Sequence, residues 1–223
     1  MTITLKALGA LLTYPGPALR QALPEIGAAL EAEGLLGRKT RQALRELADE
    51  LAAGDPLEME ERYVGIFDRG RRTSLHLFEH VHGDSRDRGQ AMVDLRGVYE
   101  RAGFHLAANE LPDFLPAVLE YLSYRPLAEA RDMLVDCAHI VRSVGETLAS
   151  RDSRYAAVFA ALLEIAREPG LEPARSGAPI EEDKPIDEEW VEEPVVFGPG
   201  AAPSVCGSKS PFVSPAPANG APR

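Results

Sequence analysis

Three residues near the middle of the chain have the types and spacing of a zinc-binding site. His76, Glu79 and His80 form the pattern H-x-x-E-H within the segment SLHLFEHVHGDSRDRGQ, residues 74–90. On a helix, histidines four positions apart project from the same face, so both imidazoles can bind one zinc ion. A glutamate beside them can then act as the general base that activates a zinc-bound water. The pattern therefore predicts, as one hypothesis, a zinc-dependent hydrolase.

The H-x-x-E-H pattern carries little weight by itself. It fixes three positions in a chain of 223 residues, so chance matches are frequent. A catalytic zinc also needs a third protein ligand. Glu146 and Glu164 are candidates, but each lies on the polar side of an amphipathic helical pattern. The zinc hydrolase is therefore kept as the alternative hypothesis.

Arginines surround these histidines. Gly83 is expected to end one helix, with Asp84 as the N-cap and Asp87 as the N3 carboxylate of the next helix. Arginines beside a helix N-terminus can bind a phosphate or a carboxylate. They can equally pair with the neighbouring aspartates and fix the corner between two helices, and both interpretations stay open. The five arginines within twenty positions are Arg69, Arg71, Arg72, Arg86 and Arg88.

The elements that must position these residues are helices. Apolar residues recur at intervals of three and four, and no alternating run rich in valine or isoleucine indicates a strand. The most regular stripe extends from Leu127 through Cys137 to Leu148, which predicts one narrow seam against a neighbouring helix. A stripe from Ala91 to Ala102 predicts a second apolar face. Short connections favour antiparallel neighbours, so we expect an all-α bundle of about eight or nine helices.

Composition divides the chain at residue 168. Residues 169–223 contain 11 of the 18 prolines and carry a net charge of −5 out of −11. Such a segment cannot bury enough apolar surface to offset its ordering entropy, so we expect a disordered acidic tail. Residues 1–168 are long enough for one helical core domain. Within the tail, the segment 188–198 contains the single tryptophan and is either a linear motif or part of an inert solubilising tail.

Charge and cysteine content exclude several classes of protein. A net charge of −11 disfavours nonspecific binding to nucleic acid, because the chain repels the phosphate backbone. Cys137 and Cys206 are too few for a disulfide scaffold. No apolar run approaches the ~20 residues of a membrane span, and the N-terminus lacks a signal-peptide cleavage pattern. We therefore expect a cytoplasmic protein without stable membrane association.

The arginine- and histidine-rich segment resembles a known family signature. The sequence YVGIFDRGRRTSLHLFEHVHGDSRDRGQAMVDL, residues 63–95, is similar to the signature of the NarJ-type chaperones, the delta subunit of respiratory nitrate reductase. The resemblance continues through LLTYP at 11–15, ELPDFLPAVLEYLS at 110–123 and EEWVEEPVVFG at 188–198. It therefore extends over most of the chain up to about residue 198.

The resemblance implies a fold and a function. The fold would be the all-α TorD-like bundle, whose members are dedicated chaperones of molybdoenzymes and are not enzymes. The partner would be the N-terminal segment of the catalytic (alpha) subunit of nitrate reductase, within the alpha–beta apo-complex. The chaperone would hold no cofactor itself, support insertion of molybdenum bis guanine dinucleotide and hold back membrane docking until the client is loaded. The acidic-Pro-x-Asp-His loop of other TorD-like chaperones does not occur in this chain, so no role is carried over from it.

The resemblance also implies which surface binds the client or handles the cofactor. Most of that surface is the signature segment, and Tyr121 is added as an aromatic anchor of the kind that dominates peptide interfaces. The arginines in it are candidates for contact with the pyrophosphate of the cofactor. The expected residues are Phe67, Asp68, Arg69, Gly70, Ser74, Leu75, His76, Phe78, Glu79, His80, His82, Gly83, Ser85, Arg86, Asp87, Arg88, Gln90 and Tyr121.

Overall fold

The described part of the chain is all-α, as expected. The computed structural model describes residues 1–83, 85–107 and 110–172, except for the side chain of Arg86. These residues form ten α-helices and one 3₁₀ turn, against the eight or nine helices expected. The elements are α1 (Ile3–Leu11), α2 (Pro17–Glu33), α3 (Arg38–Ala53), α4 (Pro56–Phe67), the 3₁₀ turn (Arg71–Thr73), α5 (Leu77–His82), α6 (Arg86–Arg101), α7 (Leu115–Ser123), α8 (Leu127–Asp136), α9 (Ala138–Ser150) and α10 (Ala156–Ala166).

The core is built around α1, α7 and α10. α1 packs closely along α7, where a Cβ on Gly9 would lie 3.2 Å from the Pro116 carbonyl oxygen. Leu8 of α1 and Leu119 of α7 are fully buried in this contact region. α10 carries buried apolar residues on all its sides, as a helix at the centre of a bundle must. α3, α8 and α9 pack around α10 and cover it.

The stripe from Leu127 to Leu148 spans two helices, a break that its regular spacing did not indicate. α8 ends and α9 begins at Cys137, whose backbone dihedrals (φ −101°, ψ 7°) depart from helical values. Both helices pack against α10, so Leu134 and Val141 stay buried on either side of the bend. The spacing of apolar residues indicates which side of a helix faces the core. A bend between two helices that both face the core on that side does not change this spacing.

The cysteine at this bend behaves as a packing residue. Burial raises the pKa of the Cys137 thiol to about 11, so the thiol stays protonated at neutral pH. Its Sγ lies 3.5 Å from the Leu134 carbonyl oxygen, to which it donates a weak hydrogen bond. A protonated, partly buried thiol packs like a small apolar side chain.

α6 lies at the edge of the bundle. Of its stripe from Ala91 to Ala102, only Tyr99 is fully buried, and the other apolar residues of the stripe are half-buried. The N-cap of α6 is Ser85 and not Asp84, so the helix begins one residue later than the capping pattern predicts. The turn before it places Gly83 at φ +53°, which agrees with the expected helix break because glycine adopts positive φ without strain.

The described chain continues past the predicted boundary at residue 168. The Arg142 guanidinium of α9 donates to the carbonyl oxygens of Pro169 and Gly170, both at 2.7 Å. Leu171 reaches the backbone of Gly145, also on α9. The segment 169–172 thus packs on the helical body, whereas the rest of the predicted tail, with the segment 188–198, lies outside the described residues.

Candidate functional site

The signature segment folds as a corner between α4 and α6, which we call the α4–α6 corner (residues 67–90). At its start, the buried Thr73 hydroxyl donates to the Ile66 carbonyl oxygen and ties the 3₁₀ turn to the end of α4. The backbone then runs beside the segment before α7, where the Leu115 amide donates to the Leu75 carbonyl at 2.8 Å. In return, the Leu77 amide donates to the Asp113 carbonyl at 3.1 Å. These bonds fix the start of α5 against the start of α7.

A buried carboxylate holds this corner together. The side chain of Asp113 is completely inaccessible to solvent. Its Oδ2 accepts the Phe78 amide at 3.1 Å and thereby satisfies one of the free amides at the start of α5. Its Oδ1 accepts a hydrogen bond from Nδ1 of His76 at 3.2 Å, and Nη2 of Arg88 lies 3.9 Å from Oδ2. Asp113 therefore links α5 and α6 to a segment that is 37 residues from His76 in sequence.

A second carboxylate extends the network. Glu79 accepts hydrogen bonds from the Ser74 hydroxyl and from Nη2 of Arg88, the latter at 3.0 Å. The Ser74 hydroxyl also accepts the His76 amide at 3.2 Å. Nε2 of His80 donates to the Ser74 carbonyl oxygen at 2.9 Å. Each of these polar groups thus has its partner inside the corner.

The charge state of His76 follows from this network. Its hydrogen bond to Asp113 raises the pKa of the imidazole, and the negative charges of Asp113 and Glu79 act in the same direction. Partial burial and the positive charge of Arg88 oppose the rise but do not reverse it. The fold therefore stabilises the imidazolium form of His76 relative to the unfolded chain, because that form pairs with the buried carboxylate.

This geometry does not support the zinc hypothesis. His76 is the N-cap of α5 and not a residue inside the helix, so the two histidines do not share a helical face as predicted. Glu79 and His80 are engaged by Ser74 within the corner. Among the described residues, no group of three histidine, cysteine, aspartate or glutamate side chains is arranged to hold a metal ion.

The two candidate third ligands also bond elsewhere. Glu164 accepts the Gly37 amide and the Thr40 hydroxyl, both at 2.5 Å, at the start of α3. Glu146 accepts the Glu172 amide at 3.4 Å. Each carboxylate therefore accepts a backbone amide of a neighbouring segment, Gly37 before α3 or Glu172 after α10.

Five of the expected surface residues are buried in the structure, and their assignment to the client-binding surface stays a prediction. Phe67 packs against the rings of Tyr63 and Tyr155 at centroid distances of 4.9 and 5.0 Å. Tyr121 packs against Tyr99 at 4.7 Å and is 4% exposed. Their apolar surface is used by the core, which is the commoner fate of large apolar side chains. The five buried residues are Phe67, Gly70, Ser74, Leu75 and Tyr121.

The other expected residues divide by exposure. The half-buried group mostly belongs to the polar network or lies next to it on α5, while the exposed group lies at the two ends of the corner. The side chain of Arg86 is outside the described part. The half-buried residues are His76, Phe78, Glu79, His80, His82, Gly83 and Arg88, and the exposed residues are Asp68, Arg69, Ser85, Asp87 and Gln90.

At Arg88, the structure supports the interpretation in which the arginines pair with carboxylates of the protein and fix the corner between two helices. Nη2 of Arg88 bonds Glu79 and lies near Asp113, and its side chain is 22% exposed. This arginine therefore fixes the corner and is not presented to an external phosphate. Arg71 and Arg72 also have interaction partners in the structure.

Asp113 is the residue that sequence analysis missed. It lies in the quoted segment ELPDFLP, where a single aspartate stands in an otherwise apolar and proline-rich run. A charged residue in such a run must be paired if it is buried, and this was the available signal. No local spacing identifies His76 or Phe78 as its partners.

Two valines extend the exposed part of the corner with apolar surface. Val81 of α5 is 55% exposed and Val93 of α6 is 64% exposed. Phe78, half-buried on α5, stacks edge-on with His82 at a centroid distance of 5.8 Å. We call these four residues the α5–α6 outer face. In the described ranges, no helix is both long enough and apolar enough to cross a lipid bilayer.

Comparison with known proteins places this architecture in a family. Residues 18–161 match the model of the family described as nitrate reductase delta subunit. The chain is 43% identical over 204 residues to the nitrate reductase molybdenum cofactor assembly chaperone NarJ of Escherichia coli K12, covering 87% of this chain and 85% of that protein. It is 41% identical to the probable assembly chaperone NarW of the same strain over 73% of this chain and 67% of that protein.

A more distant relative is named for the same role. The probable nitrate reductase molybdenum cofactor assembly chaperone NarJ of Bacillus subtilis strain 168 is 32% identical over 176 residues, covering 79% of this chain and 95% of that protein. The family model spans the helices from α2 into α10 and includes the whole α4–α6 corner. The chain belongs to the nitrate reductase delta subunit family, the NarJ-type chaperones.

Proposed function

We propose that this chain is a dedicated chaperone for the assembly of respiratory nitrate reductase. It binds the N-terminal segment of the catalytic (alpha) subunit within the alpha–beta apo-complex. It supports insertion of the molybdenum bis guanine dinucleotide cofactor and holds back membrane docking until the subunit is loaded. The chaperone acts in the cytoplasm, holds no cofactor of its own and catalyses no bond change.

The observation that carries this proposal is similarity along most of the chain to proteins named as nitrate reductase assembly chaperones. The identity is 43% over 87% of this chain in one case and 32% over 79% in another. The α4–α6 corner is consistent with a binding role because its two central carboxylates, Glu79 and Asp113, are held by hydrogen bonds within the described residues of the corner. A corner of this kind positions a surface and leaves no activated nucleophile or base.

The α5–α6 outer face is the part of the corner that we assign to the client. Val81 and Val93 expose apolar surface on two neighbouring helices, and α6 also carries exposed charged residues such as Asp87. A client helix could bury its apolar side on this surface, with the surrounding charges guiding its approach. Leu75 and Tyr121 are buried, Tyr121 against the ring of Tyr99, so neither belongs to this outer face.

Calorimetry tests the proposal directly. The titrant is a peptide that copies the N-terminus of the co-encoded catalytic subunit, with a scrambled peptide of the same composition as its control. We expect the native-order peptide to bind and the scrambled one not to bind. Equal heats from both peptides would contradict sequence-specific recognition.

A pair of variants locates the binding surface. Val93→Asp places a charge on the outer face and should weaken peptide binding by roughly tenfold or more, because a carboxylate would be desolvated against an apolar helix face. Val135→Asp makes the same change on α8, at a residue that is 45% exposed, and should leave the affinity unchanged. Similar affinities of both variants for the peptide would contradict binding of the client to the outer face.

Cells that lack the protein test its biological role. We expect their nitrate reductase to lack the molybdenum cofactor, or to reach the membrane without it, as measured by metal analysis of membrane fractions. Normal metal content and normal membrane attachment in such cells would refute the proposed function.

A further inference from the structure

A cavity on a different part of the surface is lined by aromatic rings and carboxylates. Its volume is about 360 Å³, near the lower end of the ~300–1,000 Å³ range of small-ligand sites. It lies between the end of α6, the segment 104–107 and α7. The residues that matter for its chemistry are Tyr99, Phe104, Glu110, Glu120, Tyr121 and Tyr124.

The aromatic rings form a continuous cluster in the wall of the cavity. Tyr121 contacts Tyr99 at a centroid distance of 4.7 Å and Phe104 at 5.3 Å. Phe104 also contacts Tyr124 at 5.3 Å. The Tyr99 hydroxyl donates to the Pro112 carbonyl oxygen at 2.8 Å, which holds that ring in place. The cavity therefore has a rigid aromatic wall, and aromatic ring faces carry partial negative charge.

Two cationic side chains of the protein already lie over rings of this cluster. The Lys6 ammonium lies 5.7 Å from the Tyr124 ring centroid, and the Arg125 guanidinium lies 5.8 Å from that of Tyr121. Lys6 is also held by Glu120 at 3.3 Å, and Arg125 by Glu129 at 2.9 Å. Both contacts fall within the range of cation–π attraction, so this cluster attracts positive groups.

One carboxylate at the cavity has no cation of its own. Glu110 lines the cavity, and none of the described lysine, arginine or histidine side chains forms an ion pair with it. Glu120 adds a second carboxylate, 59% exposed and shared with Lys6 at the outer edge. A cation entering the cavity would therefore meet the accessible rings of Phe104 and Tyr124, backed by the buried Tyr99 and Tyr121, together with the Glu110 carboxylate.

We infer that this cavity binds a guanidinium group, supplied by an arginine of the client protein. Guanidinium suits the site better than ammonium because it is planar, stacks on aromatic rings, is weakly hydrated and has five donors for a carboxylate. The net charge of −11 also favours a basic partner. Only the source of the arginine rests on the proposed function, since the chemistry of the cavity stands on its own residues.

A small probe tests the cavity alone. N-acetyl-arginine amide is titrated into the full-length protein while the aromatic ring resonances are followed by NMR, and N-acetyl-citrulline amide is the uncharged control of the same shape. We expect the arginine probe to shift the resonances of Phe104 and Tyr121 and the citrulline probe not to shift them. Equal shifts with both probes, or none with the arginine probe, would overturn the inference.

Variants give the second measurement. Glu110→Gln should weaken binding of the arginine probe by about tenfold, the loss expected for one hydrogen bond between a guanidinium and a carboxylate. Glu100→Gln removes the same charge from an exposed position of α6 that does not line the cavity, and it should leave the affinity unchanged. If both variants weakened binding of the arginine probe equally, the probe would be attracted only by the net charge of the protein. That result would overturn the inferred site.

The client peptide separates this inference from the proposed function. Each arginine of the peptide is replaced by citrulline in turn, and one replacement should weaken binding to the native protein by about tenfold but have a clearly smaller effect with Glu110→Gln. A peptide that binds equally well with every replacement would end the assignment of the client to the cavity while leaving the proposed function intact. If the peptide did not bind but the arginine probe bound specifically, the proposed function would be contradicted. The inference that the cavity binds a guanidinium group would still hold.

Discussion

At the scale of single residues, the α4–α6 corner depends on one buried carboxylate. Asp113 has no exposed surface, and it compensates for its burial with the Phe78 amide, the His76 imidazole and the nearby Arg88. A buried charge is tolerated only when such partners are present. His76 and Arg88 of the signature segment therefore have a structural role as partners of Asp113, whatever their role in client binding.

Replacing Asp113 should destabilise the protein. Asp113→Asn removes the charge that pairs with His76 and turns an amide NH₂ toward existing donors. We expect a loss of about 2–3 kcal/mol in the free energy of unfolding, measured in urea. Asp132→Asn, an exposed carboxylate on α8, is the control and should change stability by less than about 0.5 kcal/mol. Equal stability of the two variants would show that the network contributes little.

The His76–Asp113 pair should also make stability depend on pH. Because Asp113 raises the pKa of His76 above its ordinary value of 6.5, the pair stabilises the folded state fully at pH values below 6.5. This contribution is lost as the pH rises through the raised pKa of the folded protein. We therefore expect the stability difference between the native protein and His76→Gln to be largest at acidic pH and to shrink toward pH 8.

Urea unfolding of both proteins across this pH range measures that difference directly. The comparison cancels the titration of other carboxylates, which His76→Gln leaves unchanged. A stability difference that grows with rising pH would contradict the assigned sign.

At the scale of elements, close helix packing depends on small residues at particular positions. α9 crosses α10 where Gly145 faces Phe159, and a Cβ at this glycine would lie 2.8 Å from the Phe159 Cβ and 2.7 Å from Leu171 Cδ2. Neither contact is sterically allowed, and the Phe159 Cβ is too close to its backbone to move away. The position therefore requires glycine for space and not for backbone conformation.

A matched pair of substitutions tests this packing. Gly145→Ala should lower the free energy of unfolding by about 1–2 kcal/mol, because overpacking outweighs the gain in helix propensity. Gly65→Ala in α4 makes the same change where no atom lies within 4 Å, and it should raise stability by about 0.5–1 kcal/mol. Thermal or urea unfolding measures both, and a shift of the same sign in both variants would refute the steric argument.

The connection between α8 and α9 shows the limit of periodicity at this scale. The stripe from Leu127 to Leu148 correctly predicts the buried side, including Leu134 and Val141. It does not predict the bend at Cys137, because both helices face α10 from the same side. Similarly, the stripe on α6 predicts a helix correctly, but most of its residues are half-buried because α6 lies at the edge.

At the scale of the whole molecule, net charge should control how quickly a client binds. The chain carries −11, and the carboxylates at the aromatic cavity add a local negative surface. Long-range attraction speeds the approach of a basic peptide and is screened over about 8 Å at physiological salt. Apolar contacts on the α5–α6 outer face would instead determine how long the peptide stays bound.

Salt dependence measures these two contributions separately. Raising NaCl from about 0.05 to 0.5 M should slow association of the client peptide by roughly tenfold, because the attraction between opposite charges is screened. The dissociation rate should change much less, as surface plasmon resonance can record. A dissociation rate that changes as strongly as the association rate would contradict an apolar interface.

The sequence by itself determined the fold class and the family. Helical spacing predicts the all-α architecture because it reports burial at i, i+3 and i+4, which is a local property of the chain. The segment 63–95 identifies the family because its residues match position by position, and the match to the nitrate reductase delta subunit model confirms it.

Only the tertiary structure decided what the residues of that segment do. It places Phe67 and Leu75 in the core and leaves Val93 exposed, and it pairs His76 with a carboxylate 37 residues away. It also brings α6 and α7 together around the aromatic cavity. Such pairings depend on the arrangement of helices in space, so the spacing of residues along one helix carries no record of them.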